Sequence, residues 1–143
     1  MFQELVFQEL IFRQVTPDDY NAIRRYVREA AGAGGFGGAA LEELIVAVNE
    51  AVANIVRHGF GQEAADITVK VTGGRDVVEV TLIDRGPAYD PTTAPAPDTT
   101  LALEQRPFGG LGVHMMREFC DELRYRRDPR GLNELTLMKR FNQ

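Results

Sequence analysis

Residues 39–59 read AALEELIVAVNEAVANIVRHG, and the architecture turns on how this stretch folds. Leu41, Leu44, Ile45, Val48, Val52, Ile55 and Val56 recur at helical spacing and form one apolar stripe. That spacing predicts a helix from Ala39 to about His58, stopped by Gly59. Glu50 and Asn54 stand four apart on a face away from the stripe. A carboxylate and an amide oxygen presented together suit a hard cation, or a water held for proton transfer. Taken alone, the same pair also reads as a solvated helix face.

Upstream, FQEL occurs at 2–5 and again at 7–10; Leu10–Val15 has strand character, and residues 1–9 form an N-terminal extension. Thr16-Pro17-Asp18-Asp19 starts a helix: a capping hydroxyl, proline in the first turn, and acids at the positive end of the dipole. Tyr20, Ile23, Val27 and Ala30 continue it until GAGGFGG at 32–38. Downstream, residues 66–72 and 77–84 alternate apolar and polar side chains, as half-buried strands do. Residues 85–108 hold five of the seven prolines and no apolar periodicity, so they form a long loop. Gly109-Gly110-Leu111-Gly112 opens a helix to about Cys120, and 123–127 with 132–140 make a final hairpin. This order gives one α/β (α+β) domain over residues 1–143: a two-layer sandwich with a mixed, mainly antiparallel sheet packed on helices.

The chain has 143 residues, of which 44% are hydrophobic and 26% charged, so whole-chain disorder is excluded. A net charge of −5 gives nonspecific nucleic-acid binding no electrostatic basis. No apolar run approaches the roughly 20 residues that span a bilayer, and no basic patch precedes an apolar stretch at the start. The single cysteine, Cys120, has no internal partner, which fits a reducing cytoplasm.

Two further motifs carry chemistry. Asp84-Arg85-Gly86-Pro87 ends a strand, where an acid can accept from an exocyclic amine and Gly86 lets a flat ring approach the backbone. A strand-end turn would use the same residues. Gly109-Gly110-Leu111-Gly112 before a helix offers backbone N–H groups to phosphate, although it lacks the lysine and hydroxyl of a Walker A loop. A flexible connection is the alternative.

The order E-x-x-x-N on a helix, D-x-G at a strand end, a proline-rich loop and G-x-G before a helix resembles the GHKL ATPase superfamily. Within it, EAVANIVRHG at 50–59, DRGPAYDP at 84–91 and GGLGVHMMREFCDELRY at 109–125 are similar to the anti-sigma factor serine kinase family, the RsbW and SpoIIAB group. The resemblance implies the Bergerat-type ATP-binding fold with ATP and Mg²⁺ as cofactors. It implies Asn54 as the Mg²⁺ ligand, Glu50 as catalytic base and Asp84 as the adenine-recognition acid, with Gly86 beside the base. Gly110, Leu111 and Gly112 are implied to wrap the phosphates, residues 90–108 to be the ATP lid, and Arg106 to be its end arginine. Ala88 stands where the family often has a second glycine, and Thr136 where a hydroxyl commonly assists adenine recognition. The implied activity is phosphorylation of a STAS-type anti-anti-sigma partner together with sequestration of a sigma factor by a homodimer. The alternative is a nucleotide-binding module of the same fold without phosphotransfer. A third reading is an ATPase or a detached histidine-kinase catalytic domain.

Overall fold

A computed structural model describes residues 5–59, 65–93 and 110–141. Its strands are β1 (Leu5–Val15), β2 (Ala65–Gly74), β3 (Val77–Asp84), β4 (Glu122–Arg127) and β5 (Asn133–Arg140). Its helices are α1 (Tyr20–Ala33), α2 (Gly38–Asn54) and α3 (Gly110–Phe119). The strands form one sheet in the order β1-β2-β3-β5-β4. All four neighbouring pairs run antiparallel, so the mixed component allowed by the sequence is absent from this sheet. β5 lies between β3 and β4, which aligns Asp84 with Asn133 and Leu82 with Leu135.

Strand alternation sorts the two faces. Ile67, Val69 and Val71 from β2, Val80 and Leu82 from β3, and Leu135 and Leu137 from β5 are buried towards the helices. Thr81 and Thr136 pair on the opposite face, where their hydroxyls are 3.0 Å apart. α2 is the central helix and packs against α1, α3 and β5. The apolar stripe read from its sequence is buried at Leu41, Leu44, Ile45, Val48 and Val52. Ala47, Ala51 and Asn54 are buried as well.

Several details differ from the sequence reading. β1 begins at Leu5, so residues 5–9 extend the strand, with Leu5 opposite Gly73 and Glu9 opposite Lys70. β2 is itself long, and each backbone pair formed along its flank satisfies groups that would otherwise need water. α2 ends at Asn54 and passes into a π turn at Ile55–Gly59. Within the proline-rich loop, Pro91–Thr93 form a short 3₁₀ turn. Arg117 of α3 donates to the carbonyls of Pro91 and Thr92 at 2.9 and 2.7 Å, fixing that turn to the helix. Residues 94–109, including Arg106, lie outside the described residues.

Burial pushes the Cys120 thiol up to about 12, opposed by the nearby Lys139 charge. Lys139 also donates to the Phe119 carbonyl at 3.1 Å, so the end of α3 is tied to β5. No described helix is long and apolar enough to cross a membrane.

Leu82 is fully buried between the sheet and the helices, whereas Leu10 is 46% exposed on β1. Leu82→Ala is expected to lower unfolding free energy by about 2–5 kcal/mol, through lost transfer energy and the cavity left behind. Leu10→Ala should change it by less than about 1 kcal/mol. Urea denaturation of both variants checks the assignment of the buried face.

Candidate functional site

Asn54 is the last residue of α2, with 3% of its surface exposed, and its side-chain Oδ1 has no hydrogen-bond partner among the described residues. A buried amide oxygen without a donor costs on the order of 1–3 kcal/mol, so such an atom is a candidate ligand contact. The π turn that follows is a departure often found beside functional residues. Glu50 lies one turn earlier, about 6 Å back along the axis. A Cβ built on Gly112 would sit 2.9 Å from Glu50 Oε2 and 3.9 Å from Arg57 Nη2. Glycine at 112 therefore lets the first turns of α3 close onto the Glu50 carboxylate.

Asp84 ends β3 and is 6% exposed. Its Oδ1 accepts from the Gly86 N–H at 2.8 Å and from Asn133 Nδ2 at 3.0 Å. Asn133 Nδ2 also lies 3.0 Å from the Gly86 carbonyl and 3.2 Å from that of Pro87. On its other side, Asn133 Oδ1 accepts from the Tyr125 hydroxyl at 2.5 Å and from Arg127 Nη1 at 3.0 Å. Arg127 Nη1 reaches the Gly86 carbonyl at 3.0 Å too. The strand end and the turn after it are thus held from β4 and β5.

One pocket brings these groups together. Asn54, Asp84, Pro87, Tyr89, Tyr125 and Asn133 line it, with Leu135 at its base. It offers an acid acceptor at one point, an unbonded amide oxygen at another, and apolar or aromatic walls between them. That combination suits a flat heterocycle bearing an amine, joined to a group that brings a cation. Among the described residues, no cluster of three or more histidine, cysteine or carboxylate side chains could hold a metal without help. A cation bound chiefly by ligand oxygens and water, with Asn54 as one protein donor, agrees with that set.

The sequence-derived residues divide accordingly. Asn54 and Asp84 share the pocket, and Gly86 is buried in the turn below Asp84. Gly110, Leu111 and Gly112 form the first turn of α3, where Gly112 meets Glu50. Ala88 is exposed after Pro87. Thr136 does not join the site: it lies on the far face of the sheet, paired with Thr81. The β5 residue in register with Asp84 is Asn133, three positions earlier, and an odd offset along a strand reverses the face. Sequence reasoning passed over Asn133 and Tyr125. Arg124 and Arg126 pair with Glu79, Glu122 and Glu134, but Arg127 turns to the Gly86 carbonyl. Once 123–127 and 132–140 are a hairpin beside Asp84, alternation alone would have flagged these three.

Residues 14–139 match the model of the histidine kinase-like ATPase domain family. The chain is 40% identical over 97 residues to the serine/threonine-protein kinase BtrW of Bordetella bronchiseptica, covering 66% of each chain. It is 33% identical over 99 residues to the serine-protein kinase RsbW of Listeria monocytogenes, covering 66% of this chain and 63% of that one. The alignments thus span about two thirds of the length of these curated relatives. The fold is similar to a crystal structure of the RsbU and RsbW domains of Rv1364c from Mycobacterium tuberculosis, with a TM-score of 0.63 at 21% identity. That match covers 95% of this chain and 33% of the other. With the family model spanning most of the sequence and the helices and antiparallel sheet in agreement, this chain belongs to the histidine kinase-like ATPase domain family.

Proposed function

We propose that this chain is an ATP-dependent serine protein kinase that phosphorylates a STAS-type anti-anti-sigma partner and sequesters a sigma factor. The observation that carries this reading is the buried Oδ1 of Asn54, unbonded among the described residues and one helical turn from a carboxylate that faces the start of α3. The relatives named as serine or serine/threonine kinases support the reaction class. In this reading the domain spans residues 1–143, residues 90–108 are its lid, Arg106 closes the lid end, and the protein works as a cytoplasmic homodimer.

The chemistry follows from the groups present. Asp84 accepts from the exocyclic amine of adenine, and Gly86 keeps the backbone low enough for the ring to approach. The backbone of Gly110, Leu111 and Gly112 wraps the phosphates, and Ala88 borders the turn. Asn54 would hold Mg²⁺, which when bound offsets charge on the phosphate oxygens. Glu50 takes the proton from the attacking serine hydroxyl, so that oxygen can bond to the γ-phosphorus as the bond to the ADP oxygen breaks. A positioned base typically contributes on the order of 10²–10⁴ in rate, and less where positioning and charge stabilisation dominate.

Three variants test the roles. Glu50→Gln keeps shape and hydrogen bonding but removes the base, so phosphotransfer to a STAS protein should fall at least about tenfold with ATP binding near normal. Labelled γ-phosphate reads this directly. Labelled serine in the parent supports the kinase, whereas bound and unreacted ATP supports the binding module of the same fold, and free phosphate an ATPase. Asn54→Ala removes the proposed cation donor, and calorimetry should show weaker binding of MgATP; unchanged affinity and turnover would remove Asn54 from the metal site. Gly112→Ala places a methyl group against Glu50 Oε2, displacing a flexible carboxylate rather than backbone. Its melting temperature should stay close to the parent's while phosphotransfer drops several-fold, and a fully active variant would mean that Glu50 need not rest there.

A further inference from the structure

We infer that Asn133 is a positioning residue that sets base selectivity by aiming the Asp84 carboxylate into the pocket. The inference rests on the reading of Asp84 as the base-recognition acid and adds a residue to it.

The geometry begins with the amide's own orientation. Asn133 Oδ1 meets Tyr125 Oη and Arg127 Nη1, and a guanidinium can only donate. Asn133 Nδ2 faces the carbonyls of Gly86 and Pro87 and the Asp84 carboxylate, none of which donates from its backbone or ionised form. Reversing the amide would oppose acceptor to acceptor on one side and donor to donor on the other. The partners therefore fix which end of Asn133 points to Asp84.

This orientation acts on one carboxylate oxygen. Asp84 Oδ1 takes both the Gly86 N–H and the Asn133 amide, and no described hydrogen bond falls on Oδ2. A carboxylate held by one donor can still swing about its last torsion. Two donors from separate elements, the turn after β3 and the strand β5, define its plane. Oδ2 is then presented as an acceptor to whatever enters a pocket that Asp84 and Asn133 both line. An amino-substituted ring edge is accepted there, and a carbonyl at the same place meets lone-pair repulsion. Asn133 is 5% exposed, so its amide does this work largely shielded from water, where an unfixed polar group would be costly.

A double-mutant cycle on the full chain decides the matter, with affinities for ATP, GTP and inorganic tripolyphosphate measured in the parent, Asn133→Ala, Asp84→Ala and the double variant. The expected result is about a tenfold loss of ATP affinity in Asn133→Ala, with GTP and tripolyphosphate within about twofold of the parent. The double variant should lose no more ATP affinity than Asp84→Ala alone, because Asn133 acts through that carboxylate. Asn133→Ala with the parent's ATP-to-GTP ratio, alongside an Asp84→Ala that has lost it, overturns the inference and leaves the reading of Asp84 standing. Losses that simply add in the double variant also overturn it. Asp84→Ala with the parent's ratio overturns both. Should Asn133→Ala fold poorly, Tyr125→Phe removes one of the two donors that orient the amide and keeps the ring in place. A two- to threefold drop in the ATP-to-GTP ratio supports the inference, and an unchanged ratio counts against it.

Discussion

The end of α2 governs the rest of the molecule. Asn54 is buried there with an amide oxygen that nothing in the described protein satisfies. The fold tolerates this because α2 is wrapped by α1, α3 and the sheet, so its position is determined by packing that Asn54 does not have to supply. Leu44, Val48 and Val52 anchor the helix, and each fully buried aliphatic side chain contributes about 1.5–3 kcal/mol. The surplus from such contacts holds an unmatched oxygen in a fixed place, which is what a ligand site requires.

The opposite wall depends on a different constraint, the insertion of β5 between β3 and β4. This topology puts Asn133 beside Asp84 and brings Tyr125 and Arg127 from β4 to the same corner. Had β4 been the neighbour of β3, the acid would still end its strand, but the groups that orient it would lie a strand away. The two walls come from separate parts of the chain, a helix near residue 54 and strands beyond residue 122, and they meet because α2 packs directly on β5.

Much of this was legible in the sequence, and the exceptions have physical causes. The α2 stripe from Leu41 to Val52 and the alternating strands are local patterns, and each appears where periodicity placed it. Glu50, Asn54 and Asp84 could be named because their spacing is local too. Burial of Ala47 and Ala51 was not legible, since small residues carry little periodic signal. Thr136 was misplaced for a related reason: which residue of β5 faces Asp84 depends on strand register, and a shift of three positions moves a side chain to the other face. The early start of β1 was hidden as well, because an edge strand exposed on both faces over residues 8–11 tolerates polar residues such as Gln8 and Glu9 that break the apolar pattern.

The Arg117 clamp on Pro91 and Thr92 has a thermodynamic consequence. The segment 94–109 leaves from a turn bound to α3 and rejoins the chain at Gly110, where the same helix starts. Arg117 lies seven residues along from Gly110, about 10 Å of helix, so both attachment points ride on one rigid body. The loop-closure entropy of joining those ends is incurred when the protein folds, before any ligand arrives. Arg117 is not among the residues lining the pocket, but the Pro91 it holds is, so a change at Arg117 would loosen one pocket wall from outside.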